Sequence, residues 1–358
     1  MAKVTILVPM YNVEKYVSKC LKSLISQTYK DIEIWAVNDG SPDNSREVVL
    51  RYAKKDSRIK LIDKSNGGYG SVLQFGVDNI TSPYFLVCDP DDWLEETAIE
   101  ELYNFANLKD LDMVVGDYYN VYVGEKNKIL EHSLDSSKIR PKKVYTSNDM
   151  IQSFSFGSVS PHSKLFRTNM LRNAVFPNKV NYTDFILFIY ALSCSKRIAY
   201  YNVPLSNYLK DRPNNSTTMV SPTRLKDHAV AWLSAFNQLD ITNKNKILFR
   251  RMYEAVLGNL IVYSMYSKEY FKDEYWQDIL KTVIKIRKVK PILEEDLSSE
   301  NWMQKKLKIR LLDEGSYETT AKFYVRYINM HNSVRNVIKK LCLNLNENCN
   351  FKLNTFEN

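Results

Sequence analysis

The feature that most constrains the fold is a regular alternation of short apolar strands and helical segments over the first 90 residues. Val4–Val8 is a continuous apolar run, which is typical of a strand covered on both faces. Glu14–Ser26 then carries apolar residues at helical spacing. Further strands are predicted at Ile32–Val37, Ile59–Ile62 and Tyr84–Cys88. Strands separated by helices at this spacing predict an α/β fold with an open, mostly parallel sheet flanked by helices.

Turn and cap signals extend this prediction. Ser41 and Pro42 are typical of an N-cap followed by the first helical residue, so they predict a helix that begins there. A third helix is expected from about Gly70 to Asn79. Beyond the alternating region, Tyr118–Val123 and Lys128–Leu130 flank a short polar turn and predict a β-hairpin.

The length of 358 residues favours two domains, because one domain commonly takes about 100–200 residues. Structure-breaking residues at 213–216 separate the sheet-like region from a long region of helical pattern. We therefore expect one domain over residues 1–220 and a smaller, mainly α-helical C-terminal domain over residues 221–358.

The positive charge is concentrated in the second of these regions. The chain has a net charge of +9, and residues 221–358 hold 23 Lys and Arg against 16 Asp and Glu. Two interpretations of the basic helices stay open. They bind an anionic membrane surface, or they are solvated faces of a helical bundle that packs on the first domain. No nucleic-acid partner is predicted, because no binding motif accompanies the charge.

The same sequence gives an expectation about location. No apolar run reaches the roughly 18 residues that a membrane-spanning helix needs, and no signal peptide is recognised at the start. The five cysteines form no CxxC pair and predict neither a disulfide framework nor a zinc site. A cytoplasmic protein, peripheral to the inner face of the membrane in the first interpretation above, is therefore expected.

Three predicted strands end in aromatic or acidic residues. The ends are Pro9-Met10-Tyr11-Asn12, Asn38-Asp39-Gly40-Ser41 and Asp89-Pro90-Asp91-Asp92. Ligands of open α/β sheets bind beyond the carboxyl ends of the strands, so these residues are candidates for one site. Two carboxylates one residue apart can share Mg²⁺ or Mn²⁺, which take substrate phosphates as further ligands. The alternatives are structural: a plain turn at Asp39, and a helix-capping box that begins at Asp92.

The order of these motifs along the chain resembles the family 2 glycosyltransferases with a GT-A fold. The resemblance covers residues 4 to about 218, and the motifs that carry it are VPMYN at 8–12, VNDGSPDNS at 37–45, NGGYG at 66–70, VCDPDDW at 87–93, HSKLF at 162–166 and YTDFILF at 182–188. It implies a catalytic domain over residues 1–220. The nucleotide-sugar side would take residues 1–115 and the acceptor side residues 116–220.

The resemblance also implies site residues, position by position. The nucleotide-sugar site would be formed by Pro9, Tyr11, Asn12, Asp39, Asn66, Gly67, Asp89, Pro90, Asp91 and Arg212. Within it, the first three residues would line the nucleoside pocket and Asp39 would accept a hydrogen bond from uracil. Asp89 would face the ribose, and Asp91, together with Asp89, the metal and the diphosphate. Arg212 lies in a segment that would close over the diphosphate, or in a solvated linker.

The catalytic residue implied by the resemblance is Asp184. Inversion at the anomeric carbon needs a base that takes the proton of the attacking hydroxyl. The alternative is that Asp184 only caps the helix that follows it. His162 and Lys164 are expected on the acceptor side. The sequence departs from the family pattern in two places, since Thr183 replaces a common Glu and Val72-Leu73-Gln74 replaces Ala-Arg-Asn.

These residues lead to one functional hypothesis. The chain is expected to transfer a hexose or hexosamine, with inversion, from a UDP-sugar to a hydroxyl of a protein-linked or lipid-linked glycan, as enzymes of bacterial surface glycans do. Mn²⁺ or Mg²⁺ at the DxD motif would assist the transfer. Two alternatives stay open: a catalytically inactive partner subunit of such an enzyme, and a nucleotidyltransferase with a related sheet.

Overall fold

The structure is a computed structural model that describes residues 2–125, 127–212, 222–266, 274–296, 302–313, 319–324, 326–327 and 330. The chain divides into two compact units. The first comprises residues 1–220 and 230–240, and the second comprises residues 221–229 and 241–358. The expected linker residues 213–216 lie outside the described residues.

The first unit is built on one sheet of ten strands. The strands are β1 Val4–Met10, β2 Ile32–Asp39, β3 Ile59–Lys64, β4 Tyr84–Val87, β5 Trp93–Leu94, β6 Met113–Tyr122, β7 Lys128–Glu131, β8 Val144–Tyr145, β9 Lys164–Arg167 and β10 Ile198–Lys210. Their order is β3-β2-β1-β4-β9-β6-β10-β5, with β7 beside β6 and β8 beside β10. The long pairings are parallel, and the antiparallel pairings are short. The expected mostly parallel α/β sheet is confirmed.

Helices flank this sheet. The helices of the whole described chain, in both units, are α1 Val17–Ile25, α2 Ser45–Ala53, α3 Tyr69–Asn79, α4 Ala98–Lys109, α5 Asn148–Ser153, α6 Thr183–Cys194, α7 Pro222–Asn237, α8 Lys246–Tyr266, α9 Glu274–Ile286, α10 Lys290–Asp296 and α11 Trp302–Leu311. The first six belong to the first unit. They follow β1, β2, β3, β5, β8 and β9, so the first three strands each lead into a helix.

The core of the first unit explains why these segments fold as they do. Every residue of β1 is buried, as the continuous apolar run predicts. On α1 the buried residues recur every three to four positions, at Val17, Cys20, Leu21 and Leu24, and they pack in one cluster with the apolar face of α4. Each fully buried leucine contributes roughly 1.5–3 kcal/mol relative to an exposed one. The sheet is therefore held rigid beneath the loops that follow its strands.

Two local predictions are wrong. The second helix begins at Ser45 rather than at Ser41, because the Ser41 hydroxyl bonds to the loop after β1, accepting from the Asn12 amide at 3.3 Å. The residues after Asp92 form the short strand β5 instead of a capped helix, because Trp93 and Leu94 pair with β10. The predicted hairpin is confirmed: β6 and β7 are antiparallel, with Tyr118 opposite Glu131.

The described part of the second unit is helical, as the pattern predicts. It contains the start of α7 and helices α8 to α11. Trp276, Val256 and Leu293 are among its buried residues, which shows that these helices form a core of their own. No described helix is both long and apolar enough to cross a membrane.

Candidate nucleotide-sugar site

The sheet brings the predicted loops to one edge. β1, β2 and β3 run parallel, with Met10 opposite Asn38 and Asp39 opposite Lys64. β4 pairs with β1 in the same direction, with Val87 opposite Leu7. The loops that follow these four strands therefore meet at the carboxyl edge, where ligands of open α/β sheets bind.

Asp39 holds the third loop to the second. Its Oδ1 accepts from the Gly67 amide at 2.9 Å and its Oδ2 from the Gly68 amide at 2.7 Å. Lys64 Nζ lies 2.5 Å from Asp39 Oδ1. The Asn66 side-chain amide also donates to the Asp39 carbonyl oxygen, at 3.0 Å. The predicted residues Asp39, Asn66 and Gly67 are thus brought together, and the carboxylate faces the place where the loop turns.

Gly68 makes this turn possible. Its φ of 81° lies in the left-handed region, and a Cβ there would lie 2.9 Å from Lys179 Cα. Only glycine combines this conformation with so close an approach of another chain segment. The turn starts α3 at Tyr69 and directs that side chain across the edge of the sheet.

The loop after β1 supplies the other predicted nucleoside contacts. Pro9 is buried in β1 opposite Val37, whereas Tyr11 is 52% exposed. Asn12 has a φ of 55°, a conformation that asparagine tolerates better than most residues. The exposed Tyr11 ring is therefore a surface on which a base can stack, close to the Asp39 loop.

The DxD carboxylates have separate partners. Asp89 Oδ1 accepts from the Tyr69 hydroxyl at 2.9 Å. Asp91 Oδ2 forms an ion pair with Arg212 Nε, and Pro90 between the two carboxylates is buried. The predicted residues Asp89, Asp91 and Arg212 thus meet at one end of the site, where Arg212 also lies 5.4 Å from the Tyr16 ring.

The Asp89 carboxyl is costly to ionise in its surroundings. Burial, followed by the charge of Asp92, raises the pKa of Asp89 to about 7, although His162 and the Tyr69 hydroxyl oppose the shift. Ligand atoms of Asp89, Asp92 and His162 lie within 4.8 Å of one another. A cluster of oxygen donors that is costly to ionise fits a hard divalent cation. Asp89, and Asp91 outside this cluster, are half-buried, whereas Asp92 is buried.

Both carboxylate oxygens of Asp92 have partners within the protein. Its Oδ2 lies 2.6 Å from His162 Nε2, and its Oδ1 accepts from the Leu209 amide at 2.8 Å. Both side chains of the Asp92–His162 pair are buried, and the imidazole packs against Tyr208 at 4.4 Å. Burial lowers the pKa of His162 to about 4, so a neutral imidazole donates from Nε2 to Asp92. Through the Leu209 amide and the Tyr208 ring, both on β10, the pair connects the DxD loop to that strand.

Asp184 lies in the first turn of α6. Its Oδ1 accepts from the Phe185 amide at 3.0 Å, its one hydrogen bond among the described residues. Burial raises the pKa of Asp184, and the Phe185 amide, Lys164 and His162 oppose the rise. A carboxylate with free lone pairs and a raised pKa is suited to accept a proton. Tyr182 occupies the N-cap position of α6, but Asp184 accepts from one of the first amides of the helix, so the alternative of a capping role stays open.

The sequence alone does not assign a role to two residues of this site. Tyr69 lies within the NGGYG motif but was given no role, and its hydroxyl links Asp89 to the region of Asp184. Lys64 precedes the same motif and pairs with Asp39. The available signal was position, since both residues flank the glycines that bring the loop to the edge of the sheet.

Known proteins share these features. The family model described as glycosyl transferase family 2 matches residues 5–173. Glycosyltransferase GlyA of Streptococcus pneumoniae is 35% identical over 181 residues, which are 49% of this chain and 26% of GlyA. The uncharacterized glycosyltransferase EpsJ of Bacillus subtilis is 36% identical over 143 residues, which are 40% of this chain and 41% of EpsJ. The chain therefore spans less than half the length of these two relatives.

A solved structure shares the fold. The S. aureus TarS fragment 1–349 in complex with UDP-GlcNAc has a TM-score of 0.65 and 20% identity, and the match covers 90% of this chain and 92% of that one. Together, the matched segment, the GT-A sheet and the acidic loops at its edge show that residues 5–173 form a domain of glycosyl transferase family 2.

Proposed function

We propose that this protein is an inverting glycosyltransferase that moves a hexose or hexosamine from a UDP-sugar to a hydroxyl of a glycan acceptor. The observation that carries the proposal is the meeting of two acidic groups at one edge of the sheet. Asp89 and Asp91 follow β4, and Asp184 lies in the first turn of α6. The Tyr69 hydroxyl donates to Asp89, and Tyr69 is within electrostatic range of Asp184. A donor diphosphate at the first group would place its sugar near the second.

Asp184 acts as the base in this proposal. Its Oδ takes the proton from the acceptor hydroxyl while that oxygen attacks the anomeric carbon. The new C–O bond forms on one face of the sugar, and the bond to the diphosphate oxygen breaks on the other, which inverts the configuration. The raised pKa of Asp184 makes it a better proton acceptor than an ordinary aspartate, provided that the pH keeps it ionised.

A divalent cation, Mn²⁺ or Mg²⁺, fits the carboxylates of the DxD loop. Asp91 and Asp89 would hold it, and when bound it would balance the charge that grows on the leaving diphosphate. Arg212 is already at Asp91 and has a planar set of donors for phosphate oxygens. We propose that Arg212 exchanges its bond to Asp91 for one to the diphosphate when the donor binds.

The donor nucleotide is proposed from the first three loops. A uracil ring stacked on Tyr11 would direct its ring N–H toward Asp39, whose carboxylate is fixed by Gly67, Gly68 and Lys64. TarS, which shares the fold, has been crystallised with UDP-GlcNAc, and this supports a UDP-linked hexosamine as one candidate donor. A surface glycan, linked to protein or lipid, is the proposed acceptor.

The acceptor-side roles of His162 and Lys164, and the contact of the basic helices with an anionic membrane, stay predictions. His162 and Lys164 have no exposed ring or ammonium surface, and His162 serves Asp92. For membrane contact, Lys281 on α9 and Lys288 in the turn after it are exposed, whereas the side chains of residues 302–305 on α11 lie outside the described residues.

The proposal is tested by UDP release from a panel of UDP-hexoses and UDP-hexosamines, with Mn²⁺, with Mg²⁺ and with EDTA. We expect metal-dependent release from at least one donor, by slow hydrolysis even without an acceptor. GDP-linked and dTDP-linked sugars serve as controls. Release from none of the UDP-sugars, with UDP binding intact, would favour the inactive partner subunit.

A further inference from the structure

Lys164 is a buried cation that the proposed reaction does not yet use. It begins β9, opposite Val115 of β6, and has 0% exposed surface. Its Nζ donates to the Ser160 carbonyl oxygen at 2.5 Å, its one hydrogen-bond acceptor in the part of the chain that the structure describes. A lysine ammonium is almost never buried unless an opposite charge compensates it. Its neighbours therefore show what it does.

The ammonium points at the face of α6 that carries Asp184. Lys164 Nζ lies 5.0 Å from the ring centre of Phe188. Phe188 is four residues after Asp184, and residues at that spacing share one face of a helix. The carboxylate of Asp184 and the ammonium of Lys164 also interact electrostatically, and no hydrogen bond among the described residues joins them directly.

The other acid near Lys164 is Asp117, and its carboxylate already has several hydrogen-bond partners. Asp117 is fully buried and accepts from the Ser133 amide at 2.8 Å and from the Tyr200 hydroxyl at 2.7 Å. His132 Nδ1 also lies 2.8 Å from Asp117. Asp184, by contrast, has the single bond from the Phe185 amide. The charge of Lys164 is therefore needed chiefly by Asp184.

We propose that Lys164 is a positioning residue that keeps the Asp184 carboxylate ionised and directed at the acceptor hydroxyl. The inference rests on the proposed role of Asp184 as the base. The titratable groups that face Asp184 are Lys164 and His162, from β9 and the turn before it, and Tyr69 from α3. Those that face Lys164 are Asp184 and Asp117. Burial keeps His162 and Tyr69 uncharged near neutral pH, and burial lowers the pKa of Lys164 to about 7, although Asp184 and Asp117 oppose this shift. Lys164 is therefore the cation that acts on Asp184 at the acidic pH values where a carboxyl titrates.

The test measures the ionisation of Asp184 without relying on activity. The Phe185 amide donates to Asp184 Oδ1, so its resonance, in protein labelled with ¹⁵N-phenylalanine, reports the titration of that carboxyl. Lys164→Met removes the charge at similar volume, and Lys164→Gln keeps a donor for the Ser160 carbonyl oxygen. We expect the titration midpoint to rise by about one pH unit in either variant, the low end of the shift that a nearby opposite charge produces. Lys164→Arg, which keeps the charge, should restore it.

A midpoint that stays within about 0.2 pH units, the error of such a titration, would overturn the proposal, since removing a charge that keeps Asp184 ionised must move the midpoint. If Lys164→Met fails to fold, Lys164→Gln decides. The acid limb of kcat for UDP release should move by the same amount. A shifted Phe185 midpoint in a protein that transfers no sugar would leave Lys164 in its role and reject the proposed function instead.

Discussion

Asp184→Asn should lower the rate of sugar transfer by roughly 10²–10⁴-fold, the usual contribution of a general base. The asparagine keeps the size of the side chain and an oxygen for the Phe185 amide, but it does not take a proton. UDP affinity should change by less than about threefold, because the proposed donor contacts lie on the loops after β1 to β4. Steady-state kinetics and calorimetric titration with UDP measure the two effects.

Asp149→Asn is the matched control for this variant. Asp149 also lies in the first turn of a helix, α5, so its loss removes a similar favourable charge at a helix start. Its transfer rate should stay near that of the unchanged protein. A rate for Asp184→Asn within a few-fold of the control would mean that another group takes the proton.

Asp91→Asn should abolish the metal-dependent part of UDP binding. The loss of a metal ligand is expected to exceed the roughly 10–100-fold that removal of an outer partner costs. The weak binding of UDP without metal should persist or improve, because Arg212 loses the carboxylate that occupies it and becomes available to the diphosphate. Calorimetry with UDP, in Mn²⁺ and in EDTA, separates the two contributions.

Asp92→Asn, at the carboxylate next to Asp91, should behave differently from Asp91→Asn. Asp92→Asn leaves the buried His162 and the Leu209 amide with one acceptor oxygen where there were two. An unsatisfied buried donor costs about 1–3 kcal/mol, so this variant should melt at a lower temperature while Asp91→Asn should not. The reverse pattern, a stable Asp92→Asn without metal-dependent binding, would make Asp92 the metal ligand.

The sequence predicts those elements of the fold whose apolar residue pattern matches their burial in the structure. β1, β2 and β4 are almost wholly buried, whereas β3 is half-exposed. All four strands are followed by turns that contain glycine, proline or asparagine, so the sequence predicts their ends to within a few residues. Because the carboxyl ends of parallel strands meet at one edge, the grouping of Asp39 with the DxD loop also follows from sequence.

The remaining structure depends on long-range contacts that no local pattern records. β10 was not predicted, since Pro204 and several polar residues interrupt its apolar pattern, yet it pairs with β6 over ten positions. Asp92 reads as a helix cap, but its partners His162 and Leu209 are 70 and 117 residues away. The burial of Lys164 beside α6 likewise requires the sheet to be assembled.

The central claim is a single displacement at the anomeric carbon with Asp184 as the base, and the configuration of the released sugar tests it most directly. With a UDP-α-linked donor of the active class, early ¹H NMR spectra record the first anomer formed by hydrolysis, before mutarotation. The account predicts the β-anomer. Release of the α-anomer first would contradict it, because retention requires either a covalent intermediate or attack from the face of the leaving diphosphate.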